Sequence, residues 1–159
     1  LSLDRYDGDV LIAAFKYAQA DEQWRQDTLA NIAAAAEHYA KEAEQLEKKI
    51  KTTLDRTAKV QMAYDLARAY NQYAWVVGNT VGDFEQAIKF SRKSLDLREW
   101  NTPGYLDTLG HAYYGAGKFE KAVLWQSKAV ELDPASQAMS RKLKVFQAAL
   151  EKQTANDRQ

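Results

Sequence analysis

Pro103-Gly104-Tyr105-Leu106-Asp107-Thr108-Leu109-Gly110-His111-Ala112-Tyr113-Tyr114, continued by Gly115-Ala116-Gly117-Lys118-Phe119-Glu120-Lys121-Ala122, is the stretch that decides the fold. Leu106, Leu109, Gly110 and Tyr113 recur at helical spacing, with glycine where a neighbouring helix has to approach closely. Gly115 and Gly117 break that helix. Phe119 then opens a second amphipathic run through Ala122, Val123, Ala129 and Leu132, and Pro134 bars its simple continuation. The unit is a helical hairpin, with helices expected over 103–115 and 118–131.

A weaker copy precedes it. Asn71-Gln72-Tyr73-Ala74-Trp75 leads into Gly82-Asp83-Phe84-Glu85-Gln86-Ala87-Ile88, then Phe90, Ser94, Leu95 and Leu97. The copy carries about one extra residue in Gly78-Asn79-Thr80-Val81, and Glu99 stands where the closing proline would be. Two adjacent hairpins with a period near ~34 residues resemble the tetratricopeptide repeat (TPR) family. The small-and-large pattern, the Gly-Lys-Phe-Glu-Lys-Ala turn and the closing Leu132-Asp133-Pro134 stand where that family has them. The Tyr105 to Gly110 wording is similar to that of bacterial members. Gln126 departs from the pattern, which usually has an aromatic there, and Trp125 beside it is expected to fill the space. Strict resemblance runs from Asn71 to Pro134.

The resemblance implies an all-α, right-handed superhelical stack of antiparallel hairpins. Working outward, the chain divides into a degenerate first unit over 1–52, a repeat over 55–100, the best-matching repeat over 103–134 and a capping helix over 135–152. Leu1-Ser2-Leu3-Asp4 looks like the tail of a further unit, and the chain opens on Leu1 rather than Met, so a fragment of a longer protein is expected. A first helix over 8–19 would turn Val10, Ala13, Ala14 and Tyr17 inward. From Trp24 to Val77 there is neither glycine nor proline. Leu29, Ile32, Ala36, Tyr39, Ala43, Leu46 and Ile50 form one seam, and Val60, Ala63, Ala67, Tyr70, Ala74 and Val77 another, whose opposite side carries Met62, Leu66, Ala69, Tyr73 and Val76, so that this second stretch is apolar on two faces and is expected to pack between two neighbours. A long hairpin over 22–51 and 55–78 is expected, breaking near Thr52-Thr53-Leu54-Asp55 where Asp55 can cap the second helix; one continuous helix is the alternative. A fourth helix is expected over 83–97. After Pro134, Met139, Leu143, Phe146 and Leu150 share a face that covers the last repeat, with Arg141, Lys142, Lys144 and Lys152 largely elsewhere. Residues 153–159 are polar and expected to fray.

Composition limits the function classes. The 159 residues are 46% hydrophobic, enough to bury a core. Lysine plus arginine equals aspartate plus glutamate at 22, so no net field draws in nucleic acid or an anionic membrane. No stretch is apolar enough for membrane insertion, and Leu1 to Asp4 lacks the features of a signal peptide. The compartment, cytoplasmic or periplasmic, stays open. There is no cysteine, no Gly-rich phosphate loop and no Gly-x-Ser-x-Gly elbow, so the usual motifs of catalysis are missing and a non-enzyme without cofactor is expected.

In the TPR family the first helices line a concave face that holds ligands. Carried onto this chain, the resemblance implies a groove of Tyr64, Arg68, Asn71, Gln72, Trp75 and Asn79 on one first helix, and Asp107, Thr108, His111 and Tyr114 on the next. Amides, aromatics and a few charges suit a peptide backbone and one apolar side chain. Trp75 and Tyr114 could equally be packing residues. The chaperone-tail-binding branch of the family grips a terminal carboxylate with lysine, asparagine and arginine, for which Arg68 and Asn71 are the counterparts here. Asp107 and His111, four apart, suit a solvated pair better than two metal ligands, because no third ligand is evident. His38 with Glu42, and Glu47 with Lys51, read as exposed helix-face pairs. The leading expectation is a module binding a protein or peptide of unknown identity. The alternatives are a structural or self-associating segment, or a non-catalytic regulatory arm of a larger protein; exposure of Tyr39, Leu46 and Ile50 would favour self-association.

Overall fold

The structure, a computed structural model, describes residues 6–18 and 21–157. Among them are seven helices and no strand: α1 Gly8–Tyr17, α2 Glu22–Thr52, α3 Arg56–Gly78, α4 Phe84–Asp96, α5 Pro103–Gly115, α6 Phe119–Leu132 and α7 Gln137–Asn156. The segment Leu1 to Asp4, expected to end a preceding unit, lies outside the described residues, as does Gln19.

Most helix starts are written in short polar side chains. Asp7, Asp21, Asp55, Asp83 and Ser136 each accept a hydrogen bond from a backbone N–H in the first turn of the helix that follows. These contacts satisfy donors that have no partner within the helix. The long segment is a hairpin rather than one helix. Thr53 takes extended backbone, its N–H and Oγ1 both donate to the Lys49 carbonyl, and Asp55 Oδ1 accepts from Ala58 N at 2.8 Å. With 31 residues, α2 is about 46 Å long. The tip of the hairpin is open to solvent, where Leu54 is 97% exposed.

Consecutive helices pack antiparallel, and α3 and α5 form the centre, touching each other as well as α4. On α3, Leu66, Tyr70, Tyr73 and Ala74 face the main core, and Val76 faces a second cluster with Leu11, Ile32 and Ala35. Helix α3 is thus apolar on two sides and sits between two neighbours, as its double seam predicts. The backbones of α3 and α5 come close at Gly78, where an added Cβ would stand 2.9 Å from Ala112 N.

Several packing expectations need correction. On α1, Val10 and Tyr17 are exposed and Leu11, Ile12 and Ala18 are buried, so the inward face is rotated from the expected one. Gly8 fixes that rotation, because a Cβ there would already lie 3.1 Å from Val76. Trp125 does not replace the missing aromatic of the repeat. Gln126 fills that space itself, fully buried, while Trp125 packs on Trp100 with ring centroids 5.1 Å apart. Glu47 does not pair with Lys51; it bonds across the stack to Tyr70 and Lys93. Helix α7 starts two residues later than expected and runs on to Asn156, so residues 153–156 are helical. Tyr39, Leu46 and Ile50 are partly buried against the main core.

Candidate functional site

The four helices α1, α3, α5 and α7 lie side by side, and aromatic rings join them. Trp75 of α3 meets His111 of α5 edge to face at 5.2 Å. His111 meets Phe146 of α7 at 5.2 Å, again edge to face, and Tyr114 stacks on the same Phe146 at 4.5 Å. On the other side, Trp75 Nε1 donates to Asp9 Oδ1 of α1 at 2.9 Å. Trp75 is half-buried at this junction.

Two concavities flank the row. One, of about 260 Å³, is lined by Asp7, Gly8, Asp9, Tyr39, Gln72 and Trp75. The other is about 390 Å³ and is bounded by Lys16 of α1, Asn79 and Thr80 after α3, His111 and Tyr114 of α5, and Lys142 and Phe146 of α7. Asn79 shapes its wall by donating from Nδ2 to the Trp75 carbonyl at 3.0 Å, which closes the end of α3. A further cavity, about 500 Å³, lies between α4 and α6 around Trp100 and Trp125, with Arg92 and Lys128 over the rings.

The structure therefore brings Gln72, Trp75, Asn79, His111 and Tyr114 to one face and separates the others. Tyr64 lies toward the opposite end of α3, under the Arg98 guanidinium at 4.6 Å from its ring. Arg68 is exposed and 3.7 Å from Glu42 of α2. Asn71 Oδ1 is buried without a hydrogen-bond partner.

Asp107, Thr108 and His111, expected at the surface, are interior residues. Helix α7 lies against this end of α5, and the close α5–α6 contact at Gly110 draws the hairpin tight. Thr108 Oγ1 turns back to the Gly104 carbonyl at 3.0 Å. Asp107 accepts from Gln126 Nε2 at 2.6 Å, and the same nitrogen donates to the Met139 carbonyl at 3.2 Å. Burial raises the Asp107 pKa, while the Gln126 hydrogen bond and Lys142 pull it back. Burial, aided by Lys142 and Lys16, pushes the His111 pKa down to about 3. His111 is therefore neutral near pH 7, and its 3.9 Å approach to Asp107 is not an ion pair. Among the described residues no group of three His, Asp or Glu side chains is placed to hold a metal.

The residues that sequence reasoning missed are Lys16, Lys142 and Phe146 as members of this face. Treating α7 purely as a cap hid them. Its apolar spacing was visible, but not that Lys142, half-buried, would point to the same cavity as Phe146.

No helix among the described residues is long and apolar enough to cross a membrane. No curated protein matches the chain. Residues 104–136, the α5–α6 hairpin and the turn after it, match the family model described as tetratricopeptide repeat. That hairpin is therefore similar to a tetratricopeptide repeat, and helical packing continues through α3 and α4 on one side of it and α7 on the other.

Proposed function

We propose that this protein is an interaction module that holds a segment of a partner protein on the face formed by α1, α3, α5 and α7. Tetratricopeptide repeats serve generally in protein–protein interaction and are ordinarily non-catalytic, which sets the class. The observation that carries the finer reading is the half-buried Trp75, which lines the smaller concavity and meets His111, itself in contact with Phe146, both of which line the larger one. A rigid aromatic at the centre of a concave, partly polar face is the kind of residue that dominates protein interfaces. Gln72 and Asn79 on either side supply amides for a peptide backbone.

Self-association through the α2–α3 hairpin is the second reading, and exposed Leu54 and Val60 at the hairpin tip favour it. Tyr39, Leu46 and Ile50 weigh against it, since they are spent on the protein's own core.

Photo-crosslinking separates the two. A benzoylphenylalanine introduced at Gln72 or Asn79 should capture a partner, whereas the same group at Lys89, on the exposed side of α4, should not. Products joining two copies of the chain from Val60, with none from Gln72 or Asn79, would replace the groove reading with self-association.

A further inference from the structure

The larger concavity beside Trp75 contains more positive charge than the protein neutralises. Lys16 of α1 and Lys142 of α7 both line it, and neither forms an ion pair with a described residue. Elsewhere in this net-neutral chain Lys41, Lys48, Lys93 and Lys118 are paired with carboxylates. Asp107 acts electrostatically on Lys142, and it is tied to Gln126. Among the described residues no carboxylate lines the cavity itself, so its two lysines have no acidic side chain opposite them there.

A second observation is independent of the lysines. His111 borders the same cavity, is only 3% exposed, and its Nε2 has no hydrogen-bond partner. A buried polar atom left unpaired costs free energy unless something else satisfies it. Asn79, Thr80 and Tyr114 add polar groups, and Phe84, Phe119, Val145 and Phe146 form an apolar part of the wall. Cationic groups at one side and aromatic rings at the other call for an occupant with both characters.

We infer that the cavity between Lys16, His111 and Lys142 receives an Asp or Glu side chain of the bound partner segment, with a neighbouring large apolar side chain seated against Phe119 and Phe146. The inference rests on the groove reading above and adds to it the chemistry of the ligand: an internal acidic residue next to an apolar one. The anion bridges α1 and α7, so its arrival ties the two ends of the described stack together.

The test is selection from a library of short random peptides fused through their C-termini to a phage coat protein, so that none offers a terminal carboxylate. The baits are the full chain, its Lys16→Gln/Lys142→Gln form, and a Lys118→Gln control whose partner, Glu85, lies outside the cavity. Wild type and the control should enrich peptides carrying Asp or Glu close to Phe, Leu or Trp. The double variant should lose that acidic preference and bind the best selected peptide about tenfold or more weakly. Circular dichroism checks that it folds; if it melts early, Lys16→Gln alone carries the test, since Lys16 is exposed. Enriched peptides without acidic residues, or the same peptides on the double variant, would overturn the inference and leave the groove standing. No enrichment on any bait would overturn both. If inorganic phosphate alone shifts the His111 ring signals in NMR spectra while no acidic peptide is selected, the cavity is a small-anion site and the peptide assignment is wrong.

Discussion

Gln126 Nε2 donates to Asp107 Oδ1 at 2.6 Å inside the α5–α6 hairpin, so an amide stands where the repeat pattern favours an aromatic, and it serves a buried carboxylate. Gln126→Leu keeps the volume but leaves both Asp107 and the Met139 carbonyl without that donor. It should cost about 1.5–3 kcal/mol in urea unfolding, the range for a hydrogen bond to a charged group. Adding Asp107→Asn should recover part of the loss, because the charge that needed the donor is gone. Losses that simply add would show that the two residues are not coupled.

The glycines divide sharply. Gly78→Ala places a methyl 2.9 Å from backbone Ala112 N on the neighbouring helix, and should destabilise by about 1–3 kcal/mol because backbone has to move. Gly104→Ala meets nothing within 4 Å in the first turn of α5 and should stabilise by about 0.5–1 kcal/mol through helix propensity. Thermal melts of the pair should move in opposite directions.

Stability should fall on acidification from near neutral pH. His111 has its pKa pushed from 6.5 to about 3 by burial, with Lys142 and Lys16 adding to it, so below about 6.5 the unfolded chain takes up a proton that the folded chain refuses. The unfolded state then binds more protons, and folding is disfavoured as the pH drops toward 3. Asp107 acts oppositely over the span between 3.8 and its raised value, because there the folded chain keeps a proton that the unfolded chain loses. The prediction is a melting temperature that declines from pH 7 to pH 4, and a shallower decline in His111→Phe, which retains the rings' edge contacts. Equal slopes would mean that His111 accepts its proton while folded.

Glu47 ties three helices, accepting from the Tyr70 hydroxyl of α3 and from Lys93 Nζ of α4 at 2.8 Å. Lys93 and then Tyr70 hold its carboxyl below the usual range, while burial pushes the Tyr70 pKa to about 12. The side chains of Glu47 and Lys93 remain 37% and 40% accessible, which limits what the charge contributes. Glu47→Gln should therefore cost no more than about 1 kcal/mol. Its clearer signature should be faster amide exchange in the second half of α2, where this contact joins the helix to α4. Unchanged exchange there would place the anchoring of α2 in its apolar seam alone.

Lys142 is half-buried beside another lysine. Burial first, and Lys16 second, lower its pKa, so carrying the charge at neutral pH works against folding. Lys142→Gln should melt at or above the wild-type temperature, and a clear drop would mean that attraction to Asp107 outweighs burial and the repulsion of Lys16.

The helices and their order follow from local chemistry. The Gly115 to Ala122 turn, the aspartates before α2, α3 and α4, and the two-sided apolar pattern of α3 act over a few residues each, which is why they can be read from the chain itself. The break at Thr53 is of the same kind: an extended threonine followed by a capping aspartate ends one helix and starts the next. The hairpin at 103–134 carried enough of its repeat pattern to identify its class. What only the tertiary structure decided is which residues remain available on the inner face. Helical spacing placed Asp107, Thr108 and His111 on one side of α5, but it could not say that Phe146 of α7 would lie against His111 and Tyr114, or that Gln126 would reach Asp107. Nor could it bring Lys16 and Lys142, 126 positions apart, to one cavity. Periodicity fixes the direction of a side chain around its own helix, whereas burial and charge depend on what the neighbouring helix places opposite it.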